Sequence, residues 1–271
     1  MKKTLAVFAF LFMVAATSQA QDDYQKFRMG FKMSPNISWM QPQDKHFVSE
    51  SSALRFGFGF VADVFFAENY AIGTGVNIMR NGGEFSFLKE RLEVEDGVET
   101  AFISRYTRNY NNQYVEIPLT FKLRTNEIGY ITYWGQFGVG AGVNINSRGD
   151  EEIQDIEQRV FTTQGLPEWQ SIESKPTIEE NVNFADDIRL FRVGLILSAG
   201  IEYSLSGSSS VLIGVTYNNG FTNVFTKQDV VRTDEGNPVY RDLDTGGQAV
   251  REDVRLRAVS NSFELNLGIL F

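Results

Sequence analysis

Cysteine is absent, so neither a disulfide framework nor a thiolate metal site is open to this chain. A single histidine, His46, leaves little material for imidazole chemistry. Basic residues are in the minority, 25 against 34 acidic ones, for a formal charge of −9. That balance excludes a nucleic-acid partner, which needs a basic face. Beyond Ala20 no apolar run approaches the roughly 20 residues that a membrane-spanning helix requires. Proline is scarce at 6 residues, while glycine and phenylalanine are abundant at 24 and 23. A soluble sandwich could share those totals, so composition alone does not decide the class. The order of the residues does.

The chain opens with Met1-Lys2-Lys3-Thr4, an apolar run from Leu5 to Ala16, and the small-x-small triplet Ser18-Gln19-Ala20. These are the parts of a cleaved secretory signal. The expected organisation is therefore a signal peptide over residues 1–20 and one domain over residues 21–271. Removal of Lys2 and Lys3 makes the mature chain more acidic still.

From Phe27 to Phe271, apolar and polar residues alternate in eight separate stretches. The clearest is Tyr114-Val115-Glu116-Ile117-Pro118-Leu119-Thr120-Phe121-Lys122-Leu123-Arg124, whose odd positions are all apolar. A strand between lipid and a polar lumen must read with this period of two. A helix would spread the charges around its circumference. The face opposite the apolar one collects charges and glycines, as in Gln136, Gly138, Gly140, Gly142 and Asn144. A soluble sandwich hides its apolar faces, and its interior rarely holds glycines beside charges. In a narrow barrel, glycines make room for long side chains from neighbouring strands.

The connections alternate in length. Ala67–Asn69, Thr125–Gly129 and Ser206–Ser210 are tight, whereas Gln41–Ala53, Leu88–Arg105, Ser147–Asp187 and Lys227–Leu256 are long. Short periplasmic turns, long extracellular loops and an even strand count mark outer-membrane barrels. The expected fold is all-β: an eight-stranded antiparallel transmembrane β-barrel in outer-membrane lipid. Aromatic residues fall near the strand ends, with Phe66, Tyr70, Tyr130 and Tyr203 on the short-turn side and Trp39 and Tyr217 toward the other rim. The terminal Phe271 on an amphipathic last strand has the form read by barrel-assembly machinery.

The segment Tyr114-Val115-Glu116-Ile117-Pro118-Leu119-Thr120-Phe121-Lys122 resembles the Y-x-E-I-P-L-x-x-K strand of PorT-like outer-membrane β-barrel proteins of the Bacteroidetes. Gly30-Phe31-Lys32-Met33-Ser34-Pro35-Asn36 is similar to that family's first strand, G-x-K-x-G-x-N, with Ser34-Pro35 in place of the usual small residues. The resemblance implies an eight-stranded outer-membrane barrel. It also implies an accessory role in protein secretion through the type IX system, and no catalytic residues.

Parity directs Lys32, Arg55, Lys122, Arg124 and Arg192 inward with Asp63, Glu116, Glu202 and Glu264. Charges of both signs inside an eight-stranded barrel should pair, because the interior is only wide enough to fill with side chains. The expectation is a structural plug; the alternative is a small passive channel. The Ser147–Asp187 loop carries eleven carboxylates against three cations. Such a composition favours a solvated loop, with Phe161 and Trp169 as candidate partner contacts. Protein partners are expected at these acidic loops or at the periplasmic turns. No Asp-x-Asp-x-Asp-Gly calcium spacing occurs, and neither metal nor cofactor is expected. The last long loop carries Asp234-Glu235-Gly236-Asn237 between apolar pairs, the form of a hairpin. His46 stands near Asp44, Ser49, Ser51 and Ser52 with no orienting network, so no enzyme is expected.

Overall fold

The computed structural model describes residues 26–43, 48–95, 98–160, 169–226 and 253–271, with the short stretches 229–231, 233–234, 237–238, 240–242 and 249–251. The expected signal peptide, His46 and Phe161 lie outside the described residues.

Eight long strands follow one another in chain order: β1 Phe27–Pro42, β2 Ala53–Ala67, β3 Tyr70–Glu95, β4 Val98–Arg124, β5 Ile131–Val160, β6 Phe191–Ser206, β7 Ser209–Gly220 and β8 Ala258–Leu270. Each pairs antiparallel with its sequence neighbour. β8 returns to β1 from Gly30↔Leu270 to Pro42↔Ala258, which completes a ring of pairings. Hydrogen bonds between Met29 and Phe271 extend that last seam, at 3.1 and 2.8 Å. A ring leaves its staves without free edges, so their backbone groups are satisfied at membrane depth.

The staves are inside-out relative to a soluble core. On β4, Ile117 and Leu119 are 57% and 59% exposed, while Glu116, Thr120 and Lys122 are 2–3% exposed. The short turns at one end are Glu68-Asn69, the segment 125–130, and Gly207-Ser208. Gly207 has φ +59°, a left-handed value that glycine adopts at no steric cost. Aromatic rings gather at this end, with Phe66–Tyr70 and Tyr130–Tyr203 centroids both 6.2 Å apart. At the opposite rim Phe263 lies 4.9 Å from Tyr217 and 5.6 Å from Trp39. These are the two expected aromatic girdles.

Two of the expected long loops are not loops. β3 and β4 stay paired through the Leu88–Arg105 region, up to Glu95↔Val98. β5 continues beside β4 to Thr100↔Val160, so the first part of Ser147–Asp187 is strand. Thr177–Asn183 then pairs with the outer edge of β5. The three staves therefore rise beyond Gln113 as a blade with roughly 50 Å of strand, at about 3.3 Å per residue. Buried side chains such as Phe85, Tyr106 and Tyr110 cover one side of its lower half and polar residues line the other, so its sequence lacks a lipid-facing alternation. The last long loop does form the expected hairpin, with Thr233↔Pro238 and Asp234↔Asn237, and Val231 joins the wall of β3 opposite Leu88.

Above the apolar band the faces exchange character. On β4 the inward positions pass from Glu116 to Tyr114, Tyr110 and Tyr106, all buried, while the other face passes from Val115 to Gln113, Asn111 and Asn109. β5 makes the same passage with an irregularity opposite Gln113/Tyr114, where Ile145 is extra. That bulge shifts the phase so that Ser147 and Glu151 point inward and are buried. The exchange marks the level at which the lipid ends.

Candidate functional site

The lumen is built in layers. Nearest the short turns, Lys122 Nζ lies 2.5 Å from Asp63 Oδ2 and 2.7 Å from Glu202 Oε1. Arg28 Nη1 approaches the other oxygen of Glu202 at 2.6 Å and also donates to Ser210. These four side chains come from β4, β2, β6 and β1, so the network ties together strands distributed around the ring. Trp134 covers it, with its ring 5.2 Å from Lys122 Nζ and packed against Leu212 and Leu270. The ring rests on Gly200 and Gly214, where a Cβ would stand 2.8 and 2.5 Å from Trp134 Cζ2. Those glycines are therefore space for an indole.

Midway, Arg192 Nη1 donates to Glu116 Oε2 at 3.0 Å, and its Nη2 donates to Asn218 Oδ1 and the Ser260 carbonyl. Glu116 in turn fills the space over Gly140, where a Cβ would lie 2.7 Å from its carboxyl carbon. A cavity of about 40 Å³ lies between the layers, bounded by Lys32, Asp63, Glu116 and Glu264 among others. It has room for a few waters and no more.

The nine charges assigned to the lumen from sequence thus divide. Asp63, Glu116, Lys122, Arg192 and Glu202 form the ion pairs. Lys32 and Glu264 also lie in the lumen, where Lys32 donates to Asn266 and Glu264 accepts from Ser262. Arg55 and Arg124 do not join the network. Arg55 reaches Asn109 Oδ1 and the Tyr110 carbonyl, at the outer end. Arg124 donates to the Glu68 carbonyl and stacks over Phe65 at the periplasmic mouth. Neither forms an ion pair among the described residues, because each spends its guanidinium on carbonyl and amide oxygens at its own end of the barrel. Arg28, which the sequence reading missed, takes a place in the network; it shares the even parity of Lys32 on β1.

An apolar cap closes the outer end. Met40, Phe85, Phe87, Tyr106, Tyr110, Phe184, Ile188, Val224, Phe225, Val230, Leu256 and Ala258 form one buried cluster. Its lid comes from two connections that bridge at Ile188↔Phe225. Arg189 N donates to the Val224 carbonyl at 2.8 Å and Thr226 N to the Asp187 carbonyl at 2.9 Å. Arg108 pins the lid. Its guanidinium donates to Glu151, to Asp187 Oδ2 at 2.7 Å and to the Tyr110 hydroxyl. It also lies over the rings of Phe87, Tyr106 and Phe184, within 5.4 Å of each centroid. Burial opposes the Arg108 charge, but Tyr110 and Glu151 outweigh it and raise the pKa. Burial likewise pushes the Tyr110 hydroxyl above the ordinary phenol range.

A family model described as an outer membrane protein beta-barrel domain matches residues 19–226, more than half of the chain. The chain belongs to this family. Membership places the barrel in the outer membrane, and the structure supplies β8, which lies past the matched residues, as the stave that completes the ring. Among solved structures, the chain is similar to the attachment invasion locus protein Ail of Yersinia pestis at 11% identity, over 91% of this chain and 100% of that one, with a TM-score of 0.35. It is also similar to OprG of Pseudomonas aeruginosa at 12% identity, over 90% and 94%, with a TM-score of 0.35. For Neisserial surface protein A the identity is 10%, over 91% and 96%, with a TM-score of 0.31. Likeness of this degree says nothing about activity. No curated protein matches the sequence.

The candidate contact residue Trp169 is used within the fold of this outer-membrane barrel. Its ring packs with Leu88, Ile103 and Val231 on the blade, and Arg159 stacks over it at 4.6 Å. The acidic side chains Asp150, Glu179 and Glu180 are exposed instead. Phe271, the residue marked for assembly, lies at the lipid-facing end of β8, 6.3 Å from Phe31. No group of three or more ligating side chains suited to a metal ion occurs among the described residues.

Proposed function

We propose that this outer-membrane barrel is a sealed, non-enzymatic scaffold that holds its acidic β-blade away from the cell surface for contact with other proteins. The observation that carries this reading is the filled interior. Ion pairs and Trp134 occupy the periplasmic half, and the Arg108-pinned apolar cap occupies the outer end. A conducting pore needs a continuous wet path lined by polar groups. The blade supports the second half of the reading, since the strand Thr177–Asn183, paired along the outer edge of β5, presents the exposed Glu179 and Glu180 at a fixed height, suited to a basic partner surface. The likeness of Tyr114–Lys122 to the PorT-like strand supports a place beside the type IX secretion machinery.

Planar-bilayer recording on the purified barrel tests the seal. The expected result is a flat current trace, and steady ohmic openings would assign the protein to passive transport. Deletion of the gene followed by assay of exported cargo tests the secretion role. Cargo should accumulate inside the cell, and unchanged export would remove that role.

A further inference from the structure

The outward face of β3, β4 and β5 changes abruptly just above the lipid band. Ile78, Val115 and Val143 are the last apolar row. The next row is Arg80, Gln113 and Asn146, and the one after it is Gly82, Asn111 and Arg148. Carboxylates enter one row higher, with Glu84 and Asp150 on either side of Asn109. So an acidic protein presents, over two rows at the lipid edge, two arginines and three side-chain amides with no acid among them.

Arg80, Asn146 and Arg148 are exposed. Arg148 donates one bond to Asn181 at 3.3 Å, and Arg80 has no bonding partner among the described residues. Arg55 lies near enough to Arg80 for the two charges to oppose each other. Neighbouring strands stand about 4.8 Å apart and rows about 7 Å apart. Arg80 and Arg148, two strands and one row apart, are therefore roughly 12 Å apart at the backbone, within reach of one headgroup for two long side chains.

We infer that this row binds the phosphate of an outer-leaflet glycolipid headgroup, whose acyl chains lie along the apolar strip ending at Ile78, Val115 and Val143. The guanidiniums match phosphate oxygens in geometry and charge, and the amides of Asn146 and Gln113 suit sugar hydroxyls as donors and acceptors, whereas the Asn111 oxygen is buried. The continuity of the row with the lipid-facing strip selects a lipid over a free anion. It also accounts for the placement of the acids, which stand a row farther from an anionic surface. This inference is independent of whether the blade meets a partner.

The test is titration of the full chain in detergent with bisphosphorylated lipid A, with the same lipid after dephosphorylation, and with inorganic phosphate, read by native mass spectrometry. The phosphorylated lipid should bind, and the double variant Arg80→Gln with Arg148→Gln should bind it roughly 30-fold more weakly. Heat-modifiable gel mobility should stay that of the folded barrel, since both side chains project from the wall. Lys89→Gln with Arg105→Gln, higher on the blade, should leave binding unchanged. Equal affinity of the double variant, or equal affinity for the dephosphorylated lipid, would overturn the inference. Inorganic phosphate binding as tightly as the lipid would overturn it too, by assigning the row to free anions.

Discussion

Replacing Lys122 with methionine is expected to lower the stability of the folded barrel by about 3–5 kcal/mol, the usual cost of removing one partner from a buried ion pair. Lys122 is 2% exposed and stands between two carboxylates, Asp63 and Glu202, which are equally buried. Methionine preserves most of the volume, so the loss is electrostatic. Asp63 keeps no cation within bonding distance among the described residues, while Glu202 retains Arg28 at 2.6 Å. The companion double variant Lys122→Met with Asp63→Asn should therefore recover most of the loss. Urea unfolding in detergent, followed by tryptophan emission, measures both, since Trp134 sits directly on the network. A single variant as stable as the wild type would mean that water screens these charges and that the lumen is wet.

Replacing Arg108 with methionine is expected to cost about 3 kcal/mol and, more distinctively, to loosen the lid alone. The substitution strands Glu151, 7% exposed, removes the bond to Asp187 and takes away the cation above three rings. Amide exchange should accelerate across residues 184–190 and 221–226, while the lipid-embedded part of β4, residues 115–123, keeps its protection. Uniform loss of protection along β4 would show that the cap is part of one cooperative unit with the barrel. Unchanged exchange in the lid would show that Arg108 does not hold it.

The membrane half of this fold is legible in the sequence because lipid on one side and polar groups on the other force a strict alternation. Val115, Ile117 and Leu119 against Glu116, Thr120 and Lys122 are enough to orient β4. The blade is not legible for the complementary reason. Lys89, Glu90, Arg91 and Glu93 lie where neither face is in lipid, so charge falls on both faces and resembles a solvated loop. The acidic start of the Ser147–Asp187 segment misleads in the same way: its composition gives little core, but a ladder with β4, bulged at Ile156, holds it. Extending the parity of β4 upward past Tyr114 would have placed Tyr110, Arg108 and Tyr106 on the lumen side. The inversion from charge to aromatic at that level hides the continuity. Arg28 was within reach by parity on β1, whereas the withdrawal of Arg55 and Arg124 from the network follows from height along the strand, which alternation does not encode.

The absence of cysteine permits a direct test of the inside-out assignment. Single cysteines at 109, 111, 113, 115, 117, 119 and 121 walk up one face of β4 in an otherwise thiol-free protein. In reconstituted vesicles, a membrane-impermeant maleimide should label positions 109, 111 and 113 and spare 115 to 121, where a lipid-phase quencher should instead reach an attached fluorophore. A sharp change between Gln113 and Val115 is the predicted result. Free aqueous labelling at Ile117 and Leu119, or reactivity that runs evenly along the strand, would contradict a lipid-embedded wall with a polar, filled interior.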